Sequence, residues 1–415
     1  MKLVIYCPGT KVGGTNTLFA RCAEYWEKVT GYKPVVIDFE DGIIKNYLTE
    51  KNVDFDFREH TKGKLHFFES DELVIMPVLS GRMLGYKLFP KKDTRIAFWV
   101  THPHDPFKWL PTFQLVKKWR AKHKFYFGMT LHPHYFPKLR QLFEKSNKYN
   151  GLYVMDSDCS DSLNKTFGLE LKNKILPVFT DHPEATLIKN KKLSKELKFC
   201  WIGRVADFKW RSIVILAKEI DNLKLQGVNI SFDIVGDGCE FLHVKKEVEK
   251  LQNPNIRMLG TLSLDELNLF IKKEVDIFCG HGIALLEAAK HKVPCIVANG
   301  TYFDFDLNEM NFNWFYELEK GDVGKILSNK KEIAGVPFSE LFKGVDSGNL
   351  IEKAENSYSR WKECHSPEVV VKNLYGNLLT NKLIYEELTK TGFLKFDLIG
   401  LIIMKFKRYI TREKY

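Results

Sequence analysis

The run Cys279-Gly280-His281-Gly282-Ile283-Ala284-Leu285-Leu286-Glu287 joins a glycine-flanked turn to a short helix. A helix opening on Gly280 and Gly282 leaves its first backbone N–H groups pointing outward beside a positive dipole end, which is an anion cradle. Glu287 lies one turn inside, where a carboxylate can accept hydrogen bonds from ribose hydroxyls. Upstream, Phe199-Cys200-Trp201-Ile202-Gly203-Arg204 ends an apolar run on a cation, and Lys209 follows. Two cations and a helix N-terminus suit a diphosphate; a carboxylate suits a sugar. The constellation predicts a nucleotide-sugar site.

Those residues need strands to carry them. Buried runs are expected at Leu3–Tyr6, Val35–Asp38, Leu73–Pro77, Ile96–Thr101, Phe125–Phe127 and Leu152–Met155. A second set is expected at Lys198–Ile202, Ile230–Val235, Ile256–Leu259, Val275–Phe278 and Pro294–Ala298. Short apolar runs alternating with helical stretches indicate parallel sheets covered by helices on both faces. The fold class is therefore α/β, with two doubly wound, Rossmann-like domains. The expected division is an acceptor domain over 1–180, a polar linker over 181–197, a donor domain over 198–380 and a helical tail over 381–415. In open α/β sheets ligands bind beyond the carboxyl ends of the strands. Gly13 and Gly14, His102, Arg204, Gly236 and Gly282 all follow expected strands, so the two sheets are expected to face each other across a cleft.

Composition narrows the partners. A chain of 415 residues with 44% hydrophobic residues can bury two cores, and no run is long and apolar enough to span a bilayer. Eight cysteines without C-x-x-C pairs argue for reduced thiols, and the N-terminus runs straight into a strand; a cytoplasmic protein is expected. The net charge of +11 calls for an acidic partner. Much of it falls between Lys87 and Lys124, interleaved with Phe89, Phe107, Trp109, Phe113 and Trp119. That pattern suits either an anionic membrane surface or the solvated basic face of a helix over Leu110–Lys124. No nucleic-acid-binding signature accompanies it.

With these residues the chain resembles the GT-B-fold retaining glycosyltransferases of family 4, the group 1 class. Gly13-Gly14 is similar to the family's loop after the first strand, Arg204 and Lys209 to its diphosphate-binding cations, and Val235-Gly236-Asp237-Gly238 to its strand end. Leu259-Gly260 resembles the turn that edges the base, and Glu287 the second glutamate of the family's paired motif, the ribose ligand. Donor contacts are thereby implied for Gly13, Gly14, Arg204, Lys209, Gly236, Leu259, Gly260, His281, Gly282, Ile283, Ala284, Leu285 and Glu287. Where the first glutamate of the pair stands in the family, this chain has Cys279. Substitution by His281 or a backbone group, a different sugar preference, and loss of activity all stay open.

His102, in Thr101-His102-Pro103-His104-Asp105, resembles the family's histidine near the sugar and joins Arg204 and Lys209 as a catalytic candidate. The second His-Pro-His, His132 to His134, is read as structural or acceptor-side. The doublets Asp54/Asp56, Asp156/Asp158 and Asp304/Asp306 are read as chance, no metal ligands are assigned, and no cofactor is expected. The resemblance implies retaining transfer from a nucleotide-diphosphate sugar, UDP favoured, to a glycan or lipid-linked acceptor. The basic, aromatic segments lead us to expect peripheral contact with an anionic membrane, at the inner face of the cell membrane, and the apolar, basic tail Gly392–Ile410 is read either as a final helix crossing back to the first domain or as lying in a membrane interface. A sugar-nucleotide epimerase of the same architecture and a catalytically silent nucleotide-binding scaffold are the alternatives.

Overall fold

The computed structural model describes residues 2–11, 13–61, 63–109, 127, 129–130, 133, 135–171, 175–183, 196–206, 208–225, 227–306, 309–327, 334–344 and 347–394. The Leu110–Lys124 helix, the Phe125–Phe127 strand apart from Phe127, His132, His134 and the tail beyond Leu394 lie outside them. Contacts divide the chain into two compact units, one formed by residues 1–178 and 367–415, the other by Phe179–Ser366.

The first unit is built on strands β1 (Lys2–Tyr6), β2 (Val35–Asp38), β3 (Asp56–Glu59), β5 (Glu72–Pro77), β7 (Arg95–Val100) and β8 (Leu152–Val154). They form one parallel sheet in the order β3-β2-β1-β5-β7-β8. Helix α1 (Gly14–Thr30) follows β1, and Gly31, at φ 72°, ends it by donating its N–H to the Glu27 carbonyl. Both faces of the sheet are covered, so β1, β2, β5 and β7 read as near-continuous apolar runs. A separate two-stranded sheet pairs β4 (His66–Phe68) with β6 (Leu88–Pro90).

Asp38, at the end of β2, is fully buried and accepts hydrogen bonds from the backbone N–H groups of Gly9, Phe39, Ile44 and Lys45. It ties the loop after β1 to the start of the next helix, α2 (Ile43–Glu50).

The chain returns to this unit at Pro367 rather than at residue 381, where the sequence placed the boundary. The helix Pro367–Leu379 packs on α1, with Trp26 meeting Tyr375 edge-on at 5.6 Å. Residues beyond it hold the start of β7, where the Ile96 N–H donates to Leu383 O and Asn381 Nδ2 to Ile96 O.

The second unit repeats the scheme with β9 (Glu196–Ile202), β10 (Asn229–Val235), β11 (Ile256–Gly260), β12 (Ile277–Gly280), β13 (Cys295–Val297) and β15 (Asn313–Trp314), while β14 (Gly300–Thr301) stands outside that sheet. Their order is β11-β10-β9-β12-β13-β15, parallel except for the β13–β15 pair. Phe199, Trp201, Ile213, Phe232, Ile277 and Ile296 belong to one buried core. In each sheet the strand order reverses beside the first strand, between β1 and β5 and between β9 and β12. Such switch points are where doubly wound sheets bind ligands.

Candidate functional site

In the second unit the switch point gathers what the sequence singled out. Strand β9 is followed by Gly203 and Arg204, and the helix Trp210–Asn222 begins just after Lys209. Its neighbour β12 ends in Gly280, followed by His281, Gly282 and the short helix Ile283–Ala289. Glycine is required here by space. Gly236 sits at φ 133°, and a Cβ added to it would lie 1.9 Å from Gly203 O, so the loops after β9 and β10 touch backbone to backbone. Val205 N donates to Asp237 O across the same contact.

Arg204 is exposed, and Lys209 is partly buried with its ammonium 5.9 Å from the Trp201 ring and 5.7 Å from the Phe208 ring. Among the described residues neither cation has a carboxylate partner. Burial, with the positive charge of Arg204 adding to it, pushes the Lys209 ammonium down to about 8. An ammonium in so dry a setting, with no carboxylate partner among the described residues, is poised for an anion.

The helix start supplies fewer donors than the sequence suggested. Gly282 N donates to Val323 O at 2.7 Å and Leu285 N to Gly282 O at 3.1 Å. The first-turn amides of Ile283 and Ala284 are left without an acceptor among the described residues. Gly282, at φ 71°, has open space where a Cβ would stand.

His281 Nδ1 lies 2.8 Å from Ala298 O, which makes Nδ1 the protonated nitrogen and Nε2 the acceptor. Nε2 is buried and has no partner among the described residues. Burial first, then Lys209, pushes this imidazole down to about 3, so it is neutral at ordinary pH.

Cys279 is fully buried, and burial holds its thiol well above the usual range. It supplies neither charge nor nucleophile, so it cannot stand in for a glutamate.

Glu287 is mostly buried and pairs with the Lys290 ammonium at 2.6 Å. Leu259, at the end of β11, keeps 38% of its surface exposed. Gly260, at φ 74°, accepts the Gly236 N–H through its carbonyl.

In the first unit Gly13 caps α1, and a Cβ there would meet nothing within 4 Å. Thr15, just beyond Gly14, touches Thr101 through their hydroxyls at 3.1 Å, which joins the loops after β1 and β7. His102 follows Thr101, and its Nδ1 accepts the His104 N–H at 3.0 Å, leaving the proton of the neutral ring on Nε2. His104 and Asp105 are buried, and Asp105 pairs with Lys108 at 2.8 Å.

The three aspartate doublets have structural partners. Asp54 and Asp56 share Lys33, Asp156 caps the helix Ser157–Phe167 through Cys159 N, and Asp304 pairs with Arg211. Among the described residues no group of three His, Cys, Asp or Glu side chains could hold a metal ion.

The chain superposes on the lipopolysaccharide outer core galactosyltransferase WaaB in its apo form, at TM-score 0.54 and 12% identity, covering 92% of this chain and 99% of that one. It superposes equally on Anabaena HepE in complex with UDP-glucose, at TM-score 0.54 and 12% identity, covering 92% and 100%. The chain has the GT-B fold. Residues 184–317 match the family model described as Glycosyl transferases group 1, and they contain Arg204, Lys209, His281 and Glu287. No curated protein sequence matches the chain.

Two features of the second unit were not legible in the sequence. One is Lys290 beside Glu287, a lysine among others until the fold buries it. The other is the loss of two expected amide donors, the Gly282 N–H to Val323 O on a loop far downstream and the Leu285 N–H to Gly282 O within the turn itself.

Proposed function

We propose that the protein is a retaining glycosyltransferase that moves a sugar from a nucleoside-diphosphate sugar, UDP favoured, to a glycan or lipid-linked acceptor. The observation that carries this reading is a pair of cations without carboxylate partners among the described residues, Arg204 and Lys209, at the switch point of a nucleotide-binding sheet. Glu287 stands at the adjoining helix. HepE, of the same fold, is known in complex with UDP and with UDP-glucose, which favours UDP as the leaving group.

The chemistry follows from where charge develops. As the bond between the anomeric carbon and the β-phosphate oxygen breaks, negative charge grows on the phosphate and oxocarbenium character on the sugar. Arg204, protonated Lys209 and the amides of Ile283 and Ala284 meet that phosphate from fixed positions, which costs no reorganisation during the reaction. The acceptor oxygen bonds the anomeric carbon on the face the phosphate leaves, and its proton passes to a phosphate oxygen. His102, with its proton on Nε2, serves as a donor to the sugar or the leaving group. The cations supply the charge a metal would bring, so transfer is read as metal-independent.

The acidic partner implied by +11 is in part this diphosphate, and peripheral contact with an anionic membrane is proposed for the rest. No helix among the described residues is long and apolar enough to cross a membrane.

Calorimetric titration with UDP, GDP and ADP tests the reading. One nucleotide should bind at micromolar concentration, and binding should disappear in an Arg204→Ala/Lys209→Ala double variant. Binding of none to the folded protein, or equal binding by the variant, would overturn it. Transfer from the matching sugar nucleotide, followed by release of the nucleoside diphosphate, separates an enzyme from a silent scaffold.

A further inference from the structure

Lys290 ends the helix Ile283–Ala289 and is only 4% exposed, a position in which lysine is rarely found without a counter-charge. Its ammonium lies 2.6 Å from Glu287 Oε2 and 2.6 Å from Asp181 Oδ1. Two carboxylates therefore share one buried ammonium, and both are themselves largely covered, at 14% and 26% side-chain exposure.

The far anchor is held in turn. Thr180, preceding Asp181, receives the Trp361 Nε1–H on its hydroxyl at 2.8 Å, and its N–H reaches His365 O. A chain of contacts thus runs from the helix Ser347–Cys364 through Thr180, Asp181 and Lys290 to Glu287.

We propose that Lys290 is a positioning residue that clamps the Glu287 carboxylate, against the Asp181 anchor, in the orientation that reads the donor's ribose hydroxyls. The proposal rests on the reading of Glu287 as the ribose ligand. A glutamate has three side-chain torsions, and a free one loses that freedom when it binds a diol. The ammonium, 2.6 Å from Oε2, restricts them beforehand, so the bonds to the ribose hydroxyls form without that penalty.

The test is a cycle of variants and ligands, titrated with a nucleoside diphosphate (UDP, GDP or ADP, whichever binds) and with its 2′,3′-dideoxy form. In Lys290→Met, affinity for the ribonucleotide should fall by about tenfold. Affinity for the dideoxy form should stay within about twofold. In a Glu287→Gln background, Lys290→Met should add nothing further, because the group it orients has lost its charge. Equal losses for the two ligands, or additive losses with Glu287→Gln, would overturn the clamp while leaving the nucleotide reading intact. Should Lys290→Met not fold, Asp181→Asn removes only the anchor and should show a smaller loss confined to the ribonucleotide; no such selectivity overturns the proposal. If the folded wild-type protein binds neither form of any of the three nucleotides, the nucleotide reading fails and the clamp with it.

Discussion

Lys209 makes the proposed donor site pH-dependent in a direction that can be worked out in advance. Burial and Arg204 hold its ammonium near 8 in the free protein, against 10.5 for an ordinary lysine. A diphosphate beside it favours the charged form and carries the group back above the ordinary value. The bound state then holds a proton that the free state releases as pH rises through 8, so affinity falls with rising pH. At about pH 7 roughly one tenth of the free protein has lost the proton, and at about pH 9 roughly nine tenths has. Wild-type affinity should therefore fall by about tenfold over that interval, or about 1.4 kcal/mol. Calorimetry in two buffers of different ionisation heat should record roughly 0.1 proton taken up per nucleotide at the lower pH and 0.9 at the higher. Lys209→Arg keeps its charge throughout and should be flat, which also corrects for titration of the nucleotide itself. Lys209→Met should be flat too, weaker than wild type by roughly ten- to a hundredfold at neutral pH and closer to it at high pH. A wild-type curve that parallels the Lys209→Arg curve, or no proton uptake near pH 9, would refute the reasoning.

Other perturbations act on the frame that holds the site. Gly236→Ala forces a Cβ against Gly203 O at a positive φ and should cost roughly 2–5 kcal/mol, read as a lowered denaturation midpoint. Asp38→Ala leaves four amides, Gly9 in the loop after β1 and Phe39, Ile44 and Lys45 after β2, without their acceptor and should cost roughly 3 kcal/mol by the same measurement. Glu287→Gln should weaken nucleotide binding by about tenfold and leave pyrophosphate binding unchanged, since only the nucleotide carries a ribose. His60 and His66 are stacked and buried, with Nδ1 of one 3.1 Å from Nε2 of the other, and burial pushes both down to about 4. The unfolded chain takes up protons near 6.5 while the fold refuses them until about 4, so stability should fall as pH drops through that window. A His60→Gln/His66→Gln variant should flatten that slope in urea titrations.

What could be read in the residues and what could not follow one physical division. Strands buried on both faces, such as Val35–Asp38 and Ile277–Gly280, announce themselves as apolar runs, because a parallel sheet between helix layers has no wet side. Asp56–Glu59 carries no such signal: it is the edge strand of its sheet, only partly buried, and is specified by pairing with β2. Asn313–Trp314 is two residues long and owes its place to β13. The aromatics around it pack inward, with Phe312 against Phe338 at 5.2 Å.

Candidate site residues were legible for a related reason. Cations, glycines and a carboxylate at strand ends keep their chemical character whatever surrounds them, and their spacing alone proposed a diphosphate and a ribose. The sequence by itself determined the residue types at the strand ends and the α/β alternation that delivers them there, because both are local properties of the chain. Only the tertiary structure decided that β9 lies beside β12, which brings Arg204 and Lys209 into one site with the Ile283–Ala289 helix. It also decided that Lys209 sits in a setting that lowers its charge, that Cys279 is sealed as a thiol, and that Lys290 holds Glu287. Strand order, desolvation and long-range pairing are properties of neighbours in space, and those neighbours exist only once the chain has folded.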